Sequence, residues 1–115
     1  MQENEFYGVG LAVKLVASEV IPAHYGCEFF VNSNVFQNTT LNIVGQFPLR
    51  IEDNTFLQIE GAFIENVALA PGTTTQNHTV SCSGNYWDGL DVKDLILPRI
   101  LDANSDPSLD IICVI

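Results

Sequence analysis

The run Asp102-Ala103-Asn104-Ser105-Asp106 comes closest to chemistry by residue type and spacing. It has the D-x-N-x-D opening of a calcium loop, in which alternate oxygen-bearing side chains can turn toward one hard cation. Two departures weaken it. Pro107 stands where the loop glycine belongs, and Cys113 stands where the closing bidentate glutamate belongs. A solvated turn closed by Asx hydrogen bonds therefore outweighs a cation held by Asp102, Asn104 and Asp106. Asp88, Asp91 and Asp94 form a second acidic group with the same weakness. No cofactor is expected; calcium at the first loop is the remaining alternative.

Tyr86-Trp87 is the second candidate. The pair could stack on a sugar ring or anchor a protein interface, because both rings join a large apolar body to a polar tip. A plain core position is the competing reading. His24 and His78 sit in no metal-binding motif, and no nucleophile elbow or catalytic cysteine signature accompanies them. Gly8-Val9-Gly10 lacks the third glycine of a dinucleotide loop. Fourteen acidic residues make chance carboxylate pairs inevitable, so such pairs carry no information. The expectation is that the chain is not an enzyme.

Charge excludes more than it assigns. Lys14, Arg50, Lys93 and Arg99 are the basic residues, and the net charge is −10. Nucleic acid and anionic membrane surfaces would be repelled. A basic partner or a neutral ligand remains compatible. No apolar run approaches the roughly 20 residues of a membrane helix. The acidic start, Met1 to Glu5, lacks the basic region of a signal peptide. The compartment stays unassigned, with the cytoplasm or a virion as the expectations. Cys27, Cys82 and Cys113 are too far apart for a CxxC site and read as small buried hydrophobes.

The elements that must position these residues read as strands. Val9 to Val16 alternates with period two, and Ile21-Pro22 closes it. Cys27 to Val31 is a compact aromatic run, followed by Asn32-Ser33-Asn34 as turn chemistry. Leu41 to Phe47 alternates and stops at Pro48. Leu49-Ile51 and Phe56-Ile59, around Glu52-Asp53-Asn54-Thr55, read as a β-hairpin. Ala62 to Leu69 and Thr79 to Cys82 supply further strands, with a polar loop from Ala70 to Asn77 between them. Asp88-Gly89 is a tight turn. Asp91 to Leu101 fits one short helix capped by Asp91 and broken by Pro98. No internal repeat is evident.

Ile111-Ile112-Cys113-Val114-Ile115 ends the sequence on an apolar strand. Such a strand lies inside its own sheet or is covered by a neighbouring subunit. Ile111, Ile112, Val114 and Ile115 are therefore interface candidates beside Tyr86 and Trp87.

The pattern predicts an all-β single domain over residues 1–115. It would be a β-sandwich or jelly roll of about seven or eight short antiparallel strands, with at most one short helix. The expected function is that of a non-enzymatic structural protein forming a symmetric oligomer, a homotrimer foremost. A capsid decoration (cement) protein docking on a larger lattice suits small size, acidity and the lack of catalytic motifs. The alternative is a carbohydrate-binding or adhesin-type sandwich.

Overall fold

Four asparagines each stand two residues before an aromatic ring: Asn4 before Phe6, Asn34 before Phe36, Asn54 before Phe56, and Asn85 before Trp87. The residue preceding each asparagine has left-handed backbone: Glu3, Ser33, Asp53 and Gly84, with φ of 57°, 57°, 58° and 72°. Each unit makes a corner, not a reversal. The computed structural model describes residues 2–16, 29–45, 48–57, 59–67, 78–106, 109 and 111–115. Within them the corners turn a continuous coil.

The strands are β1 (Glu5–Val16), β2 (Phe29–Asn32), β3 (Val35–Val44), β4 (Leu49–Glu52) and β5 (Thr55–Leu57). They continue as β6 (Ile64–Val67), β7 (His78–Ser81), β8 (Tyr86–Trp87), β9 (Ile100–Leu101) and β10 (Ile111–Val114). A one-turn helix, α1 (Lys93–Ile96), runs into a 3₁₀ turn over Leu97–Arg99. Every ladder between these strands is parallel.

The pairing defines three faces. One is the sheet β10-β7-β4-β2. The second sheet bends at Asn38, whose φ is 56°. Before that bend β3 pairs with β5, and after it with β6. β5 in turn pairs with β8, and β6 with β9. β1 follows both halves of β3. Successive turns therefore run 29–32, 35–37, 39–44; then 49–52, 55–57, 64–67; then 78–81, 86–87, 100–101; and β10 opens the next. This is a parallel β-solenoid, in which the inner faces of each coil pack against one another and against the neighbouring coils.

The antiparallel sandwich or jelly roll is thus not formed. Period-two alternation reports that one face of a strand is buried, and says nothing about the direction of its partner. The hairpin at Glu52–Thr55 is not formed either. β4 and β5 pair with strands one coil away, and Asp53 turns a corner between two faces. The expectation of no repeat also fails. The asparagines recur at intervals of 30, 20 and 31 residues, because the connections between faces differ in length, so no fixed period exists.

Two inner columns hold the coils in register. Phe36, Phe56 and Trp87 are register partners, and their rings stack at 5.0 Å with interplanar angles of 13° and 6°. That spacing is one strand separation, roughly 4.8 Å. Phe63 tilts against Phe56 and Trp87 at 5.8 and 5.3 Å. Stacked pairs of this kind add about 0.5–1.5 kcal/mol each to the burial of the rings. Beside them runs the asparagine ladder. Asn4 N–H donates to Asn34 Oδ1 at 3.0 Å, Asn34 N–H to Asn54 Oδ1 at 3.0 Å, and Asn54 N–H to Asn85 Oδ1 at 2.8 Å. Asn34 and Asn54 are buried. A corner buried between coils needs its backbone groups satisfied, and the amide supplies both donor and acceptor.

The turn at Asp88-Gly89 is present, with φ of 51° and 80° and Leu90 N–H donating to the Trp87 carbonyl at 2.9 Å. The helix is shorter than its apolar spacing suggests. Its N-cap is Val92, without a side-chain cap, and Pro98 enters the 3₁₀ turn. Ile21-Pro22, Phe47, Leu69 and the loop at Ala70 to Asn77 lie outside the described residues.

Candidate functional site

Of the calcium candidates, Asp102 is engaged by the backbone. Asp102 is buried, and both its carboxylate oxygens already serve backbone donors. Oδ1 accepts from Asn104 N–H at 3.0 Å, and Oδ2 accepts from Cys113 N–H at 2.8 Å. Asn104 and Asp106 are exposed. The segment is the Asx turn, and it ties the last corner to β10. Among the described residues no group of three or more His, Cys, Asp or Glu side chains is placed to hold a metal.

Tyr86 and Trp87 point to opposite sides of β8. Trp87 is 5% exposed and closes the aromatic column, whereas Tyr86 is 52% exposed. Trp87 thus takes the core position, and the two rings do not form one shared platform, since alternate strand residues face opposite sides. His24 and Cys27 lie outside the described residues, and His78 begins β7. Cys82, just past the end of β7, and Cys113, on the neighbouring β10, are free and buried. Burial chiefly, together with the adjacent Cys113 thiol, pushes the Cys82 thiol well above its ordinary value.

β10 pairs with β7 alone among the described residues, so it is an end strand of its sheet and not a central one. Alternate strand residues turn their N–H and C=O to opposite edges. The Val114 carbonyl accepts from Cys82 N–H at 2.8 Å, on the β7 side. Ile111 and Cys113 therefore face outward. Ile111 N–H donates to Asn66 Oδ1 at 3.2 Å and Cys113 N–H to Asp102 Oδ2, while the Ile111 carbonyl accepts from Ala103 N–H at 2.7 Å. Buried side chains thus blunt the edge that would otherwise recruit another strand. Ile111 is core, Ile112 and Ile115 are half-buried, and Val114 is exposed. Asn66 is a residue that sequence reasoning missed; its polar side chain within an apolar strand, Ile64–Val67, was the available signal.

Among the described residues, two surfaces are open to a partner. The first lies on the β2–β4–β7 face. Arg50 stands 5.9 Å from the centre of the Phe30 ring, and its Nη1 is 3.9 Å from Glu52 Oε1. Ser81 Oγ donates to Glu52 Oε2 at 2.6 Å and Ser83 Oγ at 3.1 Å. The Ser81 bond, with those of Ser83 and the Arg50 charge, holds the Glu52 carboxyl below the usual carboxylate range despite some desolvation. Phe29 and Phe30 are exposed beside this strip.

The second surface is a pair of shallow clefts of about 410 and 480 Å³ that share Ser105 as a wall. One lies between β6, β9 and the turn after it. The other lies between that turn and the segment Asp94 to Ile100. Arg99 stands in the chain between Pro98 and Ile100, which line the second cleft. Its guanidinium lies 4.0 Å from the centre of the Phe63 ring, and it donates to the carbonyls of Gly61, at 2.7 Å, and Ile59.

The sandwich analogy behind the homotrimer and capsid expectations does not hold in a parallel stack; the small size and acidity on which they also rest are unchanged. Among the described residues no helix is long and apolar enough to cross a membrane. No protein-family model, no curated protein and no solved structure matches this chain.

Proposed function

We propose that this chain is a non-enzymatic structural module, a stiff coil stack that works by docking laterally on a larger, more basic protein surface. One observation carries the reading. The side chains best suited to chemistry are engaged in holding coils and corners: the ladder asparagines, Asp102, Asn66 and Arg99. What remains outside is acidic and partly apolar. A net charge of −10 favours encounter with a basic partner and opposes close packing of copies. The capped edge of β10 argues against self-assembly through that strand.

Chemical cross-linking of the full chain in an extract of the cells that make it tests this. The expected result is a stoichiometric protein partner whose cross-linked peptides are rich in Lys and Arg, and whose recovery falls as salt is raised. Recovery of the chain uncross-linked at every salt concentration contradicts it.

A second reading is a glycan-binding module. The Phe30–Arg50–Glu52–Ser81 strip favours it, because exposed rings beside paired charges and hydroxyls suit a neutral polyol. Saturable binding to a glycan array, lost in Arg50→Ala, would favour this reading over the first.

A further inference from the structure

The twin clefts at Ser105 are lined by apolar side chains and carboxylates. Val67 and Leu101 line one, at 39% and 36% exposure, and Leu97, at 38%, lines the other. Glu65 and Asp106 also line the first, and Asp94 the second. No lining residue is basic. Asp102 also lines the second cleft, but its two oxygens are engaged.

From this we infer that the clefts form a docking site for a cationic amphipathic segment of a partner protein: apolar anchors flanked by Lys or Arg. The inference rests on the assembly reading above and names its contact surface. Exposed leucine and valine side chains gain by removal from water, so an apolar anchor fits them. The lining carboxylates pair with Lys or Arg and disfavour an anionic occupant. A second copy of this chain would bring further negative charge to them. A lipid headgroup or nucleic acid would bring phosphate. A bare cation would find apolar side chains instead of converging oxygens.

The experiment uses the full chain and a short fluorescein-labelled peptide of alternating lysine and leucine. Two control peptides carry glutamate for lysine or serine for leucine. Binding is followed by anisotropy, and the contact surface by amide shifts in ¹⁵N spectra. The lysine–leucine peptide is expected to bind saturably and both controls to fail. Shifts should centre on residues 65–67 and 94–106. Glu65→Gln with Asp94→Asn should weaken binding by about fivefold, as loss of two partly exposed ion pairs implies. Leu97→Ser should weaken it by a similar factor. Glu3→Gln with Glu5→Gln changes the net charge equally at exposed positions of the N-terminal coil and should leave affinity within about twofold, the size expected of a screened distant charge. Equal losses from the two double variants would overturn the site as mere net-charge attraction. Saturable binding with shifts elsewhere would overturn the clefts and leave the assembly reading standing. Unchanged spectra for each variant alone guard against misfolding.

Discussion

Asn54 Oδ1 accepts two hydrogen bonds from Asn34, one from its backbone N–H and one from its Nδ2, each at 3.0 Å. Asn54 Nδ2 in turn donates to Asn85 Oδ1 at 3.1 Å and to the Val31 carbonyl at 2.8 Å. One buried amide thus joins three successive coils.

Asn54→Ala should cost about 3 kcal/mol or more, since several buried groups lose their partners together and each orphan costs about 1–3 kcal/mol. Asn54→Asp keeps the acceptor from Asn34 but sets a carboxylate against Asn85 Oδ1 and the Val31 carbonyl. It should destabilise comparably at neutral pH and recover part of the loss in acid. Urea unfolding of both variants at neutral and acid pH checks this. An Asn54→Ala loss under about 0.5 kcal/mol, the range of an ordinary surface change, would remove the ladder from the account.

The elements were partly legible in the sequence: β6 and β10 fall within runs that read as strands, whereas β1, β3 and β7 only overlap the runs Val9 to Val16, Leu41 to Phe47 and Thr79 to Cys82. Their direction was not. Asn32-Ser33-Asn34 reads as turn chemistry and Glu52-Asp53-Asn54-Thr55 as a hairpin loop, but the left-handed residues are Ser33 and Asp53, and such backbone serves a corner as well as a reversal. The repeat was hidden because the connections after Phe36, Phe56 and Trp87 differ in length. At the candidate site, Asp102 was identified for its carboxylate and proved to cap Cys113. The clefts depend on which outward residues of β6 and β9 adjoin the turn at Ser105, a long-range fact that spacing does not encode.

Cys82 should resist alkylation in the native state and react once the chain unfolds, because burial holds its thiol protonated. The sign of the pH effect follows from a raised folded-state value. The contribution is whole below the unfolded thiol's value, about 8.5, and is lost as pH rises through the folded value. Thermal unfolding of the wild type and Cys82→Ser across pH 7–10 should show the wild type losing stability relative to the variant on the alkaline side. Parallel pH curves would contradict this.

Glu52 behaves in the opposite sense. Its folded-state value is depressed, chiefly by Ser81, so its contribution is present above the ordinary carboxylate value and fades as pH falls through the folded one. Carbon-detected NMR titration should find the Glu52 carboxyl below the usual carboxylate range. Ser81→Ala should move it upward. No movement would place the cause elsewhere.

Trp87 should emit as a buried indole and be poorly quenched by iodide, since it closes the aromatic column. Added sugars should leave its emission unchanged. Added calcium should leave the melting temperature unchanged, because the Asp102 oxygens are already engaged. A calcium-dependent rise would show that this corner opens to a cation.

The direction of the strands is the claim on which the rest stands, and interstrand proton NOEs test it most directly. Parallel pairing predicts amide–Hα contacts between the Val35–Gln37 and Thr55–Leu57 segments, and between Phe29–Asn32 and Leu49–Glu52. A series of Hα–Hα contacts joining Leu49–Ile51 to Phe56–Ile59 across the Asp53 corner would mean an antiparallel hairpin and would contradict the coil stack.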